Sequence, residues 1–383
     1  MADPITPSAS GRKSSKSGTT STTSPWPLHM LLASNNMPLN ADVLGLYPEV
    51  MEFAKGIIKG ERNSRMEDKS AERVSKARNL YERRNEDTYM KKVWPKLIRD
   101  ERDRQVQEGT DLIPAAWKKT TWEEDDLDEA WNQPFEKGSI PKVDTSGDKT
   151  WATLLNRNQR IKNPKPDILY GLSKNPFTPG GQRANEIYKR QAGISKGMWH
   201  PFALVEAKTS GTTEIVKCQS ARGGAALVSA IRHLLSESGH EITTPGADTK
   251  SVVFSVSLVP TLATLSIHWA EVLPKEKGAH TIYHMHTVNA YAMEVTENSR
   301  NFRHDFDNVL DWGVLTRKWW VVDMMTTINA RIQAGHIPNQ ITGTIAKDGE
   351  ESEGEDDAEG EDDAETAVEQ SGSPSKKRKA GES

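Results

Sequence analysis

Acidic and basic side chains adjoin two short apolar runs, where buried strands would end. Pro166-Asp167 precedes the run 168–172, and Glu206-Ala207-Lys208 ends the run that begins at Phe202. Because side chains alternate along a strand, we expect Glu206 and Lys208 to point to the same face. If the strand that follows Asp167 is a neighbour, two carboxylates and one ammonium group converge there.

Two converging carboxylates offer the hard oxygen ligands that Mg²⁺ and Mn²⁺ prefer. The sequence therefore predicts a metal site at Asp167 and Glu206. Lys208 would hold and help deprotonate a water, or neutralise charge on a pentavalent phosphate. Hydrolysis of a phosphodiester needs these parts, namely a metal on a non-bridging oxygen, an oriented water and a nearby cation.

The same residues resemble the PD-(D/E)XK nuclease superfamily, and more closely the fungal nuclease-like families of uncharacterised function. The resemblance covers residues 84–335. It rests on Lys165-Pro166-Asp167, Pro201-Phe202-Ala203-Leu204-Val205-Glu206-Ala207-Lys208, Gln219, Phe254-Ser255-Val256 and Ile267-His268-Trp269-Ala270. It implies an α/β fold with a restriction-endonuclease-like core, in which helices flank a mixed, four-stranded central β-sheet.

The resemblance also implies roles for single residues. In the superfamily the aspartate and the glutamate bind the metal, here Asp167 and Glu206. The carbonyl group between glutamate and lysine, here that of Ala207, can add a ligand. Lys208 would assist the nucleophile, and Gln219 would orient the phosphate or the lysine.

A glutamate on an N-terminal helix often completes such a site, and Glu86 lies at the matching position. Glu82 or Asp87 would serve as well if the register differs by a turn. An acid at a helix start also commonly complements the helix dipole.

Two functions remain open. The first is a metal-dependent nuclease, a hydrolase acting on phosphodiester bonds. The second is a catalytically inactive nuclease-like module that binds nucleic acid or protein. The gap between Asp167 and Glu206 is long, and Gly223-Gly224 interrupts the helix after Gln219, which departs from the family pattern.

Composition narrows the class of protein further. The chain has 383 residues, of which 35% are hydrophobic, which suggests that much of it lies outside one core. No run approaches the roughly 18 apolar residues of a membrane span, and the polar N-terminus argues against a secretory signal. One cysteine, Cys218, excludes an internal disulfide. We expect Cys218 to be buried as a small side chain, and we expect the protein to reside in a reducing compartment.

Composition and periodicity predict four regions along the chain. They are a disordered N-terminal tail at 1–25, a helical N-terminal extension at 26–85, a nuclease-like domain at 86–335 with loop insertions at 105–160 and 173–198, and a disordered acidic tail at 336–383 with a basic end. Within them we expect helices at 48–58, 86–104, 214–235 and 315–332, and strands at 167–172, 202–208, 251–259, 262–272 and 283–295. Residues 64–84 would form a solvated helix or an arm.

Two further groups of residues have less specific patterns. His284 and His286 share a strand face that a transition metal could use, but no third ligand is evident, so surface or core histidines are the better interpretation. We expect His304, Asp305 and Asp307 to lie in a loop, where such residues make turns.

The C-terminal tail contains an acidic segment followed by a short basic segment. Residues 347–383 contain 14 acidic and 5 basic residues, whereas the rest of the chain is mildly basic. This acidic run either solubilises the chain or competes with nucleic acid for a basic face. Lys376-Lys377-Arg378-Lys379 resembles a monopartite nuclear localisation signal, which predicts a nuclear import receptor as a partner and a nuclear location, with the cytoplasm as the alternative.

Overall fold

A computed structural model describes most of the chain between residues 47 and 335. The described residues are 32–33, 37–39, 47–60, 66, 68–98, 127–135, 140–141, 163–172, 198–209, 213–240, 246–273 and 281–335. The two predicted tails, the basic end and most of the insertions 105–160 and 173–198 lie outside them.

Within residues 47–98, as far as the structure describes them, three helices precede the sheet. They are α1 (Pro48–Ile58), α2 (Asp68–Tyr81) and α3 (Glu86–Ile98). Pro48 occupies the first turn of α1, where its missing N–H costs nothing. The buried apolar residues of all three helices belong to the same hydrophobic cluster as one face of the sheet. The segment predicted as an N-terminal extension therefore contributes helices to the main core.

The described residues form one mixed sheet of seven strands. These are β1 (Leu127–Trp131), β2 (Ile168–Leu172), β3 (Trp199–Ala207), β4 (Gly246–Ala247), β5 (Val253–Val259), β6 (Leu262–Val272) and β7 (Thr281–Ala292). Their order is β1-β2-β3-β5-β6, and β4 and β7 both pair with β6. Strands β3 and β5 are parallel and every other pair is antiparallel. A mixed α/β fold with a sheet between helices is therefore present.

Helices cover both faces of this sheet. Helix α4 (Thr213–Glu237) lies between β3 and β5 in the sequence and packs on the face that carries Leu204. On the opposite face, α1, α2 and α3 share a cluster with α5 (Thr296–Asp311). A π-helical segment, Trp312–Arg317, joins α5 to α6 (Lys318–Gln333). The crossover through α4 accounts for the parallel pair, since parallel neighbours need such a connection.

Glycines allow α4 to approach the sheet closely. A Cβ atom on Gly224 would lie 2.1 Å from Nδ1 of His268 on β6, and one on Gly223 would lie 2.7 Å from a methyl group of Leu204. The Gly223-Gly224 pair that weakens the helix pattern is therefore required by packing.

The structure confirms several predicted elements and corrects others. The strands expected at 251–259 and 262–272 are β5 and β6, and Pro260-Thr261 joins them in a hairpin. The prediction that His304, Asp305 and Asp307 lie in a loop is wrong, because all three belong to α5. Buried apolar residues at helical spacing define that helix, namely Phe302, Phe306, Val309 and Leu310. The region 105–160, expected to be irregular, contributes β1, and the predicted helix 315–332 is split between the π-helical segment and α6.

Candidate active site

The antiparallel pairing of β2 and β3 places Asp167 beside Glu206. Ile168, the first residue of β2, lies opposite Val205, so Asp167 just before β2 is placed opposite Glu206 on β3. Oδ2 of Asp167 accepts a hydrogen bond of 2.6 Å from the backbone N–H of Ala207. Its own carbonyl oxygen accepts one of 3.0 Å from the N–H of Asn132. The contact with Ala207 therefore orients the Asp167 carboxylate, and the contact with Asn132 fixes the main chain of Asp167.

Glu206 is a buried carboxylate near the end of β3, a strand with neighbours on both sides. It is 2% exposed and lies on β3, opposite Ser257 of the parallel strand β5. Its Oε1 atom has no hydrogen-bond partner among the described residues. Burial, and then repulsion by Asp167, raise the pKa of Glu206 well above its usual range. The positive charges of Arg222 and Lys208 oppose that rise.

Lys208 joins the end of β3 to the start of α3. Its backbone N–H donates to the carbonyl oxygen of Leu258 at 2.9 Å, which continues the pairing one residue beyond β3. Its Nζ atom donates to both carboxylate oxygens of Glu86, each at 2.6 Å. Glu86 is the first residue of α3, and Oδ1 of Asn85 caps that helix by accepting the N–H of Thr88 at 2.9 Å.

The cluster contains more acidic than basic side chains. Burial, and next repulsion by Glu86, raise the pKa of Asp167 from 3.8 to about 7. The backbone N–H of Ala207 and the charge of Lys208 act in the opposite direction. The charge of Glu86 thus helps to raise the pKa of both Asp167 and Glu206, and Lys208 lies close enough to oppose both shifts.

Two residues of α4 carry unpaired polar atoms on this side of the sheet. Oε1 of Gln219 and Nε of Arg222 are both buried without a hydrogen-bond partner in the described part of the chain. The charge of Arg222 acts on Glu206, whereas no described contact joins Gln219 to the four charged residues. The sequence pattern did not lead us to select Arg222 as a site residue. Its spacing of about one helical turn from Gln219, which places both on one helix face, is the signal that could have done so.

Glu86 has a different contact from the two alternative acids, Glu82 and Asp87. Asp87 pairs with Lys91 at 2.7 Å on the exposed face of α3, and Glu82 lies 3.9 Å from Arg83. Glu86 is the acid that contacts Lys208. The structure therefore brings together four of the five predicted site residues, namely Glu86, Asp167, Glu206 and Lys208.

Two other candidates, His284 and Cys218, have contacts or burial that favour a structural role. His284 stacks on Trp269 with ring centroids 5.1 Å apart, and its Nε2 lies 3.0 Å from Oε2 of Glu271. Cys218 is fully buried, and burial raises the pKa of its thiol to about 12, which disfavours a nucleophilic thiolate.

The donor set fits a hard divalent cation bound by few protein ligands. The described residues contain no group of three or more His, Cys, Asp or Glu side chains arranged as a ready metal site. Mg²⁺, however, usually binds proteins through one or two carboxylates and keeps several waters. Asp167 and Glu206 supply two carboxylates, and the unpaired Oε1 of Glu206 has capacity for a ligand.

Comparison with known proteins identifies one family. The family model described as "Domain of unknown function (DUF7924)" matches residues 73–324, which is more than half of the chain. The chain therefore belongs to that family, and the match includes all five predicted site residues. No curated protein matches the chain. None of the described helices is long and apolar enough to span a membrane.

Proposed function

We propose that this member of the DUF7924 family is a metal-dependent nuclease of the PD-(D/E)XK type, which hydrolyses phosphodiester bonds in nucleic acid. The observation that carries the proposal is the convergence of three carboxylates and one ammonium group where β3 ends and α3 begins. Asp167 directly precedes β2, whereas Glu206 lies on β3 and Lys208 directly follows it. Glu86 comes from a helix 122 residues before Lys208.

The strand order supports the same proposal. Strands β2, β3, β5 and β6 are consecutive neighbours, with one parallel pair between two antiparallel pairs. Helix α4 crosses between the two parallel strands. A mixed four-stranded unit of this kind is what a restriction-endonuclease-like core requires, and the charged residues lie at the end of its second strand.

Asp167 and Glu206 would hold Mg²⁺ or Mn²⁺. The charge of Asp167 raises the pKa of the buried Glu206, and a divalent cation between the two carboxylates would relieve that repulsion. Such a cation, when bound, acts as a Lewis acid on the phosphate and lowers the pKa of a water. The backbone N–H of Ala207 keeps the Asp167 carboxylate in place for that role.

Lys208 and Glu86 would act on the phosphate as a pair. The ammonium group of Lys208 is a hydrogen-bond donor, and it can stabilise the negative charge that builds on a phosphate during hydrolysis. Glu86 accepts two of its hydrogen bonds, which restricts where the ammonium group can lie. Both side chains retain access to solvent, at 26% and 28% exposure, so substrate can reach them.

Cleavage of nucleic acid by purified protein tests the proposal. With Mg²⁺ or Mn²⁺ the wild type should cleave at least one substrate in a panel of single- and double-stranded DNA and RNA. Lys208→Ala should lower the rate by about 10²–10³-fold. Lys96→Ala is the matched control, because Lys96 is an exposed lysine on α3 that bonds to the carbonyl oxygen of Lys92. Melting temperatures on the same samples separate lost chemistry from lost folding.

A catalytically inactive binding module is the second candidate. The ion pair supports this candidate, because the Lys208 ammonium group already binds Glu86 and is less available to a phosphate. A Mn²⁺ titration followed by the cleavage assay distinguishes the two candidates. Folded wild type that binds Mn²⁺ and cleaves none of the panel would contradict the nuclease proposal and support the module.

Nuclear import through Lys376, Lys377, Arg378 and Lys379 is part of the proposal. Four consecutive cations form a site that an import receptor can bind. Deleting residues 376–379 should move a fluorescently tagged protein from the nucleus to the cytoplasm. An unchanged distribution would contradict a signal at this position.

A further inference from the structure

Exposed arginines occupy the turn between α2 and α3, directly before Glu86. Arg83 and Arg84 are both exposed, and the Arg83 side chain is 94% exposed. We propose that Arg83 and Arg84 bind the phosphodiester backbone of a nucleic acid strand beside the phosphate that is cleaved. The inference rests on the proposed function, because that function places the reacting phosphate at Lys208.

The turn that carries the two arginines has a defined backbone. The N–H of Arg84 donates to the carbonyl oxygen of Tyr81 at 2.9 Å, and the N–H of Glu82 donates to that of Arg78 at 2.8 Å. The cap formed by Asn85 fixes the start of α3 immediately afterwards. The positions of both Cα atoms relative to Glu86 are therefore set by hydrogen bonds at the ends of two helices.

Short chain distances connect this turn to the cluster. Arg84 and Glu86 are two residues apart, so their Cα atoms are separated by at most about 7 Å, or about two base-pair rises of a duplex. Glu86 in turn contacts Lys208 at 2.6 Å. A strand whose reacting phosphate lies at Lys208 therefore brings its neighbouring phosphates close to the turn.

The charges at this turn remain available to a ligand. The contact between Arg83 and Glu82 is long, at 3.9 Å, and lies in solvent, where such pairs contribute little. No hydrogen bond or ion pair of the Arg84 side chain occurs within the described residues. Residues 68–98 contain nine basic and five acidic residues, so the segment is positive in a chain whose net charge is −4. Arginine suits this role because its planar guanidinium group binds phosphate through paired hydrogen bonds.

The salt dependence of binding tests the inference without requiring cleavage. Binding of labelled DNA and RNA oligonucleotides of one sequence, single- and double-stranded, is measured in EDTA over a range of NaCl concentrations. Arg83→Ala/Arg84→Ala should reduce the slope of log K against log salt by about 1.4 for a single strand or about 1.8 for a duplex. The control is Lys69→Ala/Lys76→Ala, which removes two exposed cations from α2 and should change the slope by less.

Different outcomes address the inference and the proposed function separately. Equal slopes for the wild type and the arginine variant, or equal losses in the arginine and lysine variants, would overturn the inference even if the protein cleaves. A slope loss specific to the arginine variant would support it, even in a protein that cleaves nothing. Where cleavage occurs, the arginine variant should raise KM and leave kcat near that of the wild type, because Arg83 and Arg84 are placed outside the reacting group.

Discussion

Nζ of Lys208 lies 2.6 Å from each carboxylate oxygen of Glu86, although 122 residues separate the two in the sequence. This pair connects the end of β3 to the first turn of α3 across the end of the sheet. Because both side chains are partly exposed, the pair contributes little to the free energy of unfolding. Its main consequence is geometric, since it holds an ammonium group next to Asp167 and Glu206.

Glu86→Gln should therefore lower activity more than stability. The amide keeps the size of the side chain but removes the charge that holds Lys208, so we expect cleavage to fall by about 10–100-fold. Asp87→Asn is the control, because Asp87 is the next residue and pairs with Lys91 in solvent. Cleavage rates and melting temperatures of both variants provide the measurement. Equal activity in the two variants would contradict a role for Glu86.

The raised pKa of Asp167 predicts how stability depends on pH. A carboxyl group whose pKa rises from 3.8 to about 7 on folding binds its proton more tightly in the folded state. Metal-free protein should therefore lose stability as the pH increases from about 4 to about 7. Asp167→Asn cannot ionise, so its free energy of unfolding should decline less steeply over that range. Urea unfolding in EDTA at several pH values measures this, and identical pH profiles would exclude the effect.

Arg222 should stabilise the protein through the charge of Glu206. Arg222→Met keeps much of the side-chain volume and removes the charge that opposes the raised pKa of Glu206. A double-mutant cycle with Glu206→Gln should give a coupling free energy of about 0.5–3 kcal/mol. Arg232→Met is the control, because Arg232 lies on the same helix but interacts with Tyr283 and Asp248. Additive effects of Arg222→Met and Glu206→Gln would contradict this role.

Two glycine variants should change stability in opposite directions. Gly224→Ala places a methyl group 2.1 Å from the His268 ring, which is buried and has its Nε2 atom 2.7 Å from Oγ of Ser255. Overpacking of this kind typically costs about 1–3 kcal/mol. Gly56→Ala, in α1, meets nothing within 4 Å and should add about 0.5–1 kcal/mol through helix propensity. Thermal unfolding compares both variants with the wild type, and a stable Gly224→Ala protein would show that α4 can move away from the sheet.

Local patterns predicted most of the elements. The strands at Ile168–Leu172, Val253–Val259 and Leu262–Val272 and the helix Thr213–Glu237 lie within two residues of the expected bounds, because their apolar spacing is a property of the local sequence. Helix α5 was missed, because its polar residues suggested a turn while its buried side chains have partners distant in the sequence.

The sequence by itself determined which residues of the candidate site can do chemistry. Pro166-Asp167 and Glu206-Ala207-Lys208 adjoin apolar runs, and alternation along a strand relates Glu206 to its neighbours. Only the tertiary structure decided that Glu86 meets Lys208, since Glu82 or Asp87 would have served in a register shifted by one turn. Only the tertiary structure showed that Arg222 acts on Glu206. Both contacts depend on how α3 and α4 dock against the ends and faces of the sheet, and that docking is set by non-local packing rather than by local sequence.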